Sequence, residues 1–285
     1  MTFLAIIIAV LLQQAWSLAE RVQHDHWFDG WRARVGALGF GDWLGLALAV
    51  LVPTVLAHLV LDAVEPVLFG LGWLLLAIVL LLYSFGRGDF QAAMAQYRGH
   101  AYSGDFEAAY LAASEQFNWE NDQHPPDTAL EVHARVQRVM LYEGFQRWFA
   151  VMFYFVLLGP AGVLAYRLSQ LYCEASEVPS VTALRWLALL DWVPVRLLAS
   201  TFTVTGDFIG SRDELLASLT DPAANAQEVL YSVGVAALGP DVCDPSGDEA
   251  VFGPEAAAQN REFEALLSRS AIGWIVVLSL LILLF

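Results

Sequence analysis

The sequence contains no lysine. All 14 basic residues are arginine, against 30 acidic residues, and the formal net charge is -16. Because a P-loop, a Schiff base and a lysine general base each need the amine, the composition excludes those mechanisms. The excess of negative charge also argues against nucleic-acid binding and against docking on anionic lipid through a basic patch.

Metal-binding residue types are also scarce, with 2 cysteines and 6 histidines. Cys173 and Cys243 lie far apart in sequence and form no CxxC pair, so neither a metal knuckle nor a disulfide framework is indicated. In the trio His24, Asp25 and His26, neighbouring side chains on a helix diverge by roughly 100°, so the two imidazoles would not face one ion. We therefore predict no metal site, and the sequence identifies no cofactor.

Charged residues make up 15% of the chain and hydrophobic residues 58%, which exceeds the apolar content of soluble globular domains. Strand patterns are nearly absent, so we predict an all-α, polytopic helical membrane protein. About five segments are apolar enough to span a core of ~30 Å. The first is expected to be a retained helix rather than a signal peptide, because its first arginine comes after it. The predicted spans are residues 2–18, 43–61, 67–85, 148–166 and 270–285.

Two polar regions separate these spans, an acidic one at 86–147 and a second at 206–269. Capping-box patterns at Thr128–Glu131 and Ser211–Glu214 predict that both regions are helical.

The arginines concentrate in 19–42 and 86–147, and arginine-rich loops stay on the cytoplasmic side. The pattern predicts an external N-terminus and cytoplasmic placement of both polar regions.

Residues 185–205 form an apolar stretch interrupted by Asp191, Pro194 and Arg196. A charge near the bilayer centre costs ~2.5–3.5 kcal/mol, so neither charged side chain should face lipid. Pro194 frees a carbonyl and is expected to kink or break the helix, which would let both side chains turn toward one polar cavity. Two interpretations stay open here: Asp191 as a helix cap with Arg196 reaching the headgroups, or both residues lining a site for an anionic ligand. Whether the segment crosses the membrane also stays open.

Three blocks resemble the AmpE family of inner-membrane proteins, which is linked to β-lactamase induction. They are Glu20-Arg21 with Asp25-His26 after the first apolar helix, Gly162-Val-Leu-Ala-Tyr166-Arg167 at the end of a span, and Leu190-Asp-Trp-Val-Pro-Val-Arg-Leu197. The resemblance implies a regulatory or sensory protein of the bacterial inner membrane that responds to cell-wall stress.

That family is similar in turn to the CobD/CbiB amide ligases of cobalamin synthesis, which share a G-x-x-x-YR span end and an x-x-x-P-x-R-L block. Where those enzymes carry Glu-Asn-x-x-Asp, this chain has Glu143-Gly-Phe-Gln146. The resemblance implies ligand-binding roles for Glu20, Arg21, Asp25, Glu143, Tyr166, Arg167, Asp191, Pro194 and Arg196.

Two functions follow. A regulatory membrane protein would use the acidic helical regions as an output surface for cytoplasmic or membrane signalling partners. A CobD/CbiB-like enzyme would instead bind an anionic, phosphorylated small molecule at the arginines, although no recognisable catalytic set is present. A transporter would show inverted repeats, and none is evident. The small-residue pairs Gly70–Gly72 and Gly159–Gly162 could pack helices within one chain or between two copies of a homodimer.

Overall fold

The computed structural model describes residues 2–15, 23–117, 126–175, 180–239 and 249–284, and within these ranges it contains helices and no strand. The predicted all-α membrane protein is confirmed. The described α-helices are α1 (Thr2–Ala15), α2 (His26–Ala37), α3 (Asp42–Val64), α4 (Leu71–Ser84), α5 (Phe90–Tyr102), α6 (Phe106–Phe117), α7 (Ala129–Gly144), α8 (Ala150–Glu174), α9 (Val181–Thr205), α10 (Phe208–Thr220), α11 (Ala226–Leu238) and α12 (Glu249–Leu284). A 3-10 turn, Val67–Gly70, precedes α4, and a π-helical turn, Phe145–Phe149, joins α7 to α8.

Four described helical segments are long and apolar enough to cross a membrane by length and composition: Asp42–Val64, Ala129–Glu174, Val181–Thr205 and Val251–Leu280. The segment Ala129–Glu174 is not one straight helix, because non-helical backbone at Gly159 lets the chain turn back, and the rings of Tyr154 and Tyr166 stack. Its first part, α7, carries several charged residues, so the apolar part suited to the membrane lies within α8. By the same argument, the polar first half of α12 lies outside the spanning segment.

The expected number of spans is therefore only partly met. The predicted segment 67–85 contains the 14-residue helix α4, about 21 Å long, which is short for a crossing. The predicted segment 2–18 is described only as far as Ala15, and its described part is helical. In contrast, the ambiguous segment 185–205 belongs to α9, a continuous 25-residue helix. Length thus favours α9 as a crossing helix.

The chain divides into two compact units, each built from two stretches of sequence. The first unit comprises 1–87 and 146–191, and the second comprises 88–145 and 192–285. In the first unit α3 packs against α2, α4 and α8, and α4 packs against α1 and α8. Its core follows helical spacing on each element, which places one apolar face of each helix inward. The buried members are Phe28, Leu46, Ala49, Val50, Tyr83, Leu164, Leu168 and Leu171.

In the second unit α12 packs against α5, α7 and α11, α6 packs against α5 and α7, and α10 packs against α11. One close approach depends on a glycine: a Cβ at Gly253 would lie 2.5 Å from the Ala101 carbonyl oxygen. The core under α5, α6 and α7 is formed by Met94, Tyr97, Ala101, Ala109, Ala113, Val132, Val136, Met140 and Ala257.

One of the two predicted capping boxes is confirmed. The Thr128 Oγ1 accepts from the Glu131 amide at 3.2 Å, and the Glu131 carboxylate accepts from the Asp127 amide at 3.0 Å. The prediction of a capping box at Ser211 is wrong, because α10 already begins at Phe208. There the Asp207 carboxylate caps the first turn, and Ser211 is a buried residue inside the helix.

Membrane orientation is tested by reporter fusions after Glu115, in α6, and after Gly239, at the end of α11. Because α6 and α11 both pack against α7 in the second unit, we expect both fusions to report the same side, and the arginine distribution predicts that this side is cytoplasmic. Reporters on opposite sides would contradict this packing. A periplasmic reporter after Glu115 would contradict the predicted orientation.

Candidate functional site

A hydrogen-bonded tyrosine and aspartate lie buried in the first unit, where α8 meets the middle of α9. The Tyr166 hydroxyl donates to the Asp191 Oδ1 at 2.7 Å, and the two residues are 1% and 0% exposed. The ring of Tyr154 stacks on that of Tyr166, with centroids 5.0 Å apart. The carboxyl group that the sequence places in an apolar run is therefore satisfied by protein, and the high cost of exposing it to lipid is avoided.

Pro194 does not break α9, which corrects the expected Pro-broken helix at 185–205. A proline at this position cannot donate to the carbonyl four residues earlier, that of Leu190. The Tyr154 hydroxyl donates to this carbonyl oxygen instead, at 2.7 Å. Because an outside donor satisfies the freed acceptor, the helix continues through the proline.

The helix break lies in α8 instead, at Gly159 and Pro160. Gly159 has φ 72° and ψ -167°, a conformation that glycine adopts without steric cost. Pro160 follows directly and donates no backbone hydrogen bond. The glycine next to the proline allows the chain to change direction within the span.

Arg167 anchors a second polar group at the end of α8. Its Nη1 donates to the Gln170 Oε1 at 2.9 Å and lies 3.5 Å from the Glu174 Oε1. The arginine is 7% exposed, whereas the Glu174 side chain is 54% exposed. The group therefore connects a buried cation to a carboxylate that reaches solvent.

Asp25 belongs to a third group, which links the loop before α2 to the end of α4. Its carboxylate accepts from the Tyr83 hydroxyl at 2.9 Å and forms an ion pair with Arg87. Burial and, after it, the positive charge of Arg167 lower the pKa of Arg87 to about 10. The Gln23 side chain donates to the carbonyls of Leu82 and Phe85 and holds the loop against α4.

Arg196 lies in the second unit, where its guanidinium binds the C-terminal end of α10. Nε donates to the Ser218 carbonyl at 3.0 Å and Nη2 to the Asp221 carbonyl at 2.8 Å. The guanidinium carbon lies 4.2 Å from the centroid of the Trp192 ring. A cation at these carbonyls complements the helix dipole. Asp191 and Arg196 thus make different hydrogen bonds, Asp191 with the Tyr166 hydroxyl and Arg196 with the carbonyls of Ser218 and Asp221.

The remaining predicted site residues are dispersed. Glu143 is half-buried in the last turn of α7, in the second unit. Glu20 and Arg21 lie outside the described residues. His24 and His26 are exposed on either side of Asp25. Among the described residues no group of three or more His, Cys, Asp or Glu side chains is placed to hold a metal ion.

Sequence reasoning missed the partners of these residues. Gln170 lies one helical turn from Arg167, and Tyr83 is separated from Asp25 by two whole helices. Tyr154 stacks on Tyr166, which lies on the other side of the break in α8. Arg87 had a detectable pattern, because it follows a predicted span end as Arg167 does.

The sequence is similar to known proteins over both units. The sequence model of the family described as "Regulatory signalling modulator protein AmpE" matches residues 1–283. A curated relative, Protein AmpE of Shigella flexneri, is 25% identical over 242 residues, which cover 81% of this chain and 83% of the relative. No solved structure matches.

Proposed function

Because this chain belongs to the AmpE family of regulatory signalling modulator proteins, we propose that it modulates β-lactamase induction from the bacterial inner membrane. The family match over almost the whole chain carries the proposal. The four helices that can cross a membrane support the location, and the helical second unit supports an output role.

The bonding of the candidate site residues also favours a regulatory role over ligation. The guanidinium of Arg167 and the carboxyl groups of Asp25 and Asp191 each bond to other side chains of the protein. Such contacts fix the ends of helices relative to one another. They suit a protein that transmits a change between helices.

We propose that the second unit binds a partner protein through a basic surface of that partner. Helix α6 presents the exposed carboxylates of Glu107 and Glu115, and Asp105 caps its first turn. Complementary charge accelerates association with a partner and selects against others. The partner would be a cytoplasmic or membrane signalling protein with a basic face.

Deletion of the gene is expected to change β-lactamase activity after exposure to an inducing β-lactam, and wild-type complementation is expected to restore it. A Glu107→Gln/Glu115→Gln variant should restore the response several-fold less well, because two exposed charges of the output surface are lost. Asp62→Asn/Glu65→Gln removes two exposed charges near the end of α3 and serves as the matched control. Unchanged induction on deletion would refute the proposal, and equal complementation by both variants would refute the role of α6.

A further inference from the structure

The first unit contains a cavity of about 410 Å³ at the ends of four helices. Its walls come from α2, from the start of α3, from the end of α8 and from the residue before α9. The volume falls within the ~300–1,000 Å³ of ordinary small-molecule sites. The lining residues with distinctive chemistry are Arg32, Gly36, Phe40, Asp42, Tyr172 and Ser180.

Two opposite charges line this cavity. Arg32 offers a planar guanidinium, the group best suited to bind a phosphate, and Asp42 offers a carboxylate that accepts from an ammonium. The Arg32 Nη2 also donates to the Ala175 carbonyl at 3.0 Å, which ties the guanidinium to the end of α8. One cation and one anion together match a zwitterion better than a purely anionic ligand.

The cavity lies at the ends of two candidate membrane helices, the position in which a lipid headgroup is expected. It is bounded by the first residue of α3 and the last turn of α8, and both helices contain candidate membrane spans. The rings of Trp43 and Trp186 meet edge to face with centroids 6.2 Å apart, and Trp43 is 56% exposed. Tryptophan is enriched at the interface between membrane and water. Phe40, also exposed, adds apolar surface at the mouth of the cavity.

We propose that this cavity binds a phosphoethanolamine group, with its phosphate on Arg32 and its ammonium on Asp42. The hydroxyl groups of Tyr172 and Ser180 supply further polar contacts. The ligand is either the headgroup of phosphatidylethanolamine or a soluble phosphoethanolamine, since both present the same zwitterion. This site is separate from the output surface on α6 and does not depend on the proposed role in induction.

The test measures equilibrium binding to the delipidated full-length protein in maltoside micelles by isothermal titration. The three probes are short-chain phosphatidylethanolamine, phosphatidylglycerol with the same chains, and soluble phosphoethanolamine. We expect phosphatidylethanolamine to bind at least ~10-fold more tightly than phosphatidylglycerol, as expected when one charge-assisted hydrogen bond is gained. Arg32→Gln should weaken binding by at least ~10-fold for the same reason. Asp42→Asn should remove the preference for the ethanolamine headgroup.

Arg34→Gln is the matched control, because Arg34 is an exposed arginine of the same helix and does not line the cavity. A Gly36→Leu variant tests occupancy without a change of charge. A Cβ at Gly36 would meet no atom within 4 Å, and leucine favours helix more than glycine does, so the variant should fold. The leucine side chain should fill part of the cavity and abolish binding.

Binding of soluble phosphoethanolamine that depends on Arg32 and Asp42 supports the site and identifies a soluble ligand. Binding that requires acyl chains supports the site and identifies the lipid. Equal affinity for the two lipids, an effect of Arg34→Gln as large as that of Arg32→Gln, or full binding by Gly36→Leu would overturn the proposal.

Discussion

Acidification from pH 7 to pH 4 is expected to lower the free energy of unfolding by about 3 kcal/mol through the buried imidazole of His133. His133 lies in α7, the charged first part of Ala129–Glu174, outside the apolar part suited to the membrane. It is 2% exposed. Its Nδ1 accepts from the Tyr97 hydroxyl at 2.6 Å, and its Nε2 donates to the Gln259 Oε1 at 2.5 Å. Both ring nitrogens are therefore satisfied in the neutral form.

Burial lowers the pKa of His133 from its ordinary value of 6.5 to about 4. The unfolded chain binds a proton at that residue below about pH 6.5, whereas the folded chain does not until about pH 4. The stabilising contribution is therefore complete above pH 6.5 and is lost as the pH falls through this window. Below about pH 4 both states are protonated, and the histidine causes no further loss.

The measurement is chemical unfolding in mixed micelles at a series of pH values between 7 and 4. His133→Gln removes the titrating group, so its unfolding free energy should vary less over this range, by about the same 3 kcal/mol. His100→Gln, on α5 of the same unit, is the control and should keep the wild-type slope. The explanation fails if the slopes of wild type and His133→Gln coincide.

The environment of His133 shows what the sequence could not reveal. Gln259 and Asn260 appear in a polar region that was predicted only to be helical, yet both are buried, at 4% and 0% exposed. The Asn260 amide donates to the Gln137 Oε1 at 3.0 Å, and Arg98 pairs with Glu264 at 2.5 Å. These contacts join residues more than a hundred positions apart, and no local periodicity reports such pairing.

Other features were predictable because they follow from the free energy of placing single side chains in the membrane. The high free energy of a charged side chain in lipid predicted that Asp191 and Arg196 avoid the lipid. The two residues are 0% and 4% exposed. The same argument did not identify their partners, because Tyr166 and the carbonyl of Ser218 come from different helices. The helical content was likewise visible in the sequence.

The two mid-helix prolines explain the main error about local structure. Pro160 follows a glycine that adopts a positive φ, and the helix α8 bends there. Pro194 follows Val193, which has no such freedom, and the freed carbonyl of Leu190 is bonded by Tyr154. Proline alone does not determine a break: the residue before it and a donor from a neighbouring helix decide the result.

Tyr154→Phe is accordingly expected to destabilise the protein by about 1–3 kcal/mol, because it leaves the Leu190 carbonyl without its hydroxyl donor in a water-poor environment. The stacking of ring 154 on Tyr166 is preserved in the variant. Tyr172→Phe, a half-buried tyrosine further along α8, is the matched control and should cost much less.

The decisive experiment combines this change with Pro194→Ala. Alanine at 194 restores the backbone N–H that can bond the Leu190 carbonyl, so the hydroxyl of Tyr154 becomes dispensable. In the Pro194→Ala background Tyr154→Phe should therefore be nearly neutral, with an interaction energy of at least ~1 kcal/mol between the two sites. Unfolding of the four proteins in micelles measures that energy. Strict additivity would show that the tyrosine does not compensate the proline, and Tyr172→Phe should be additive with Pro194→Ala in the same assay.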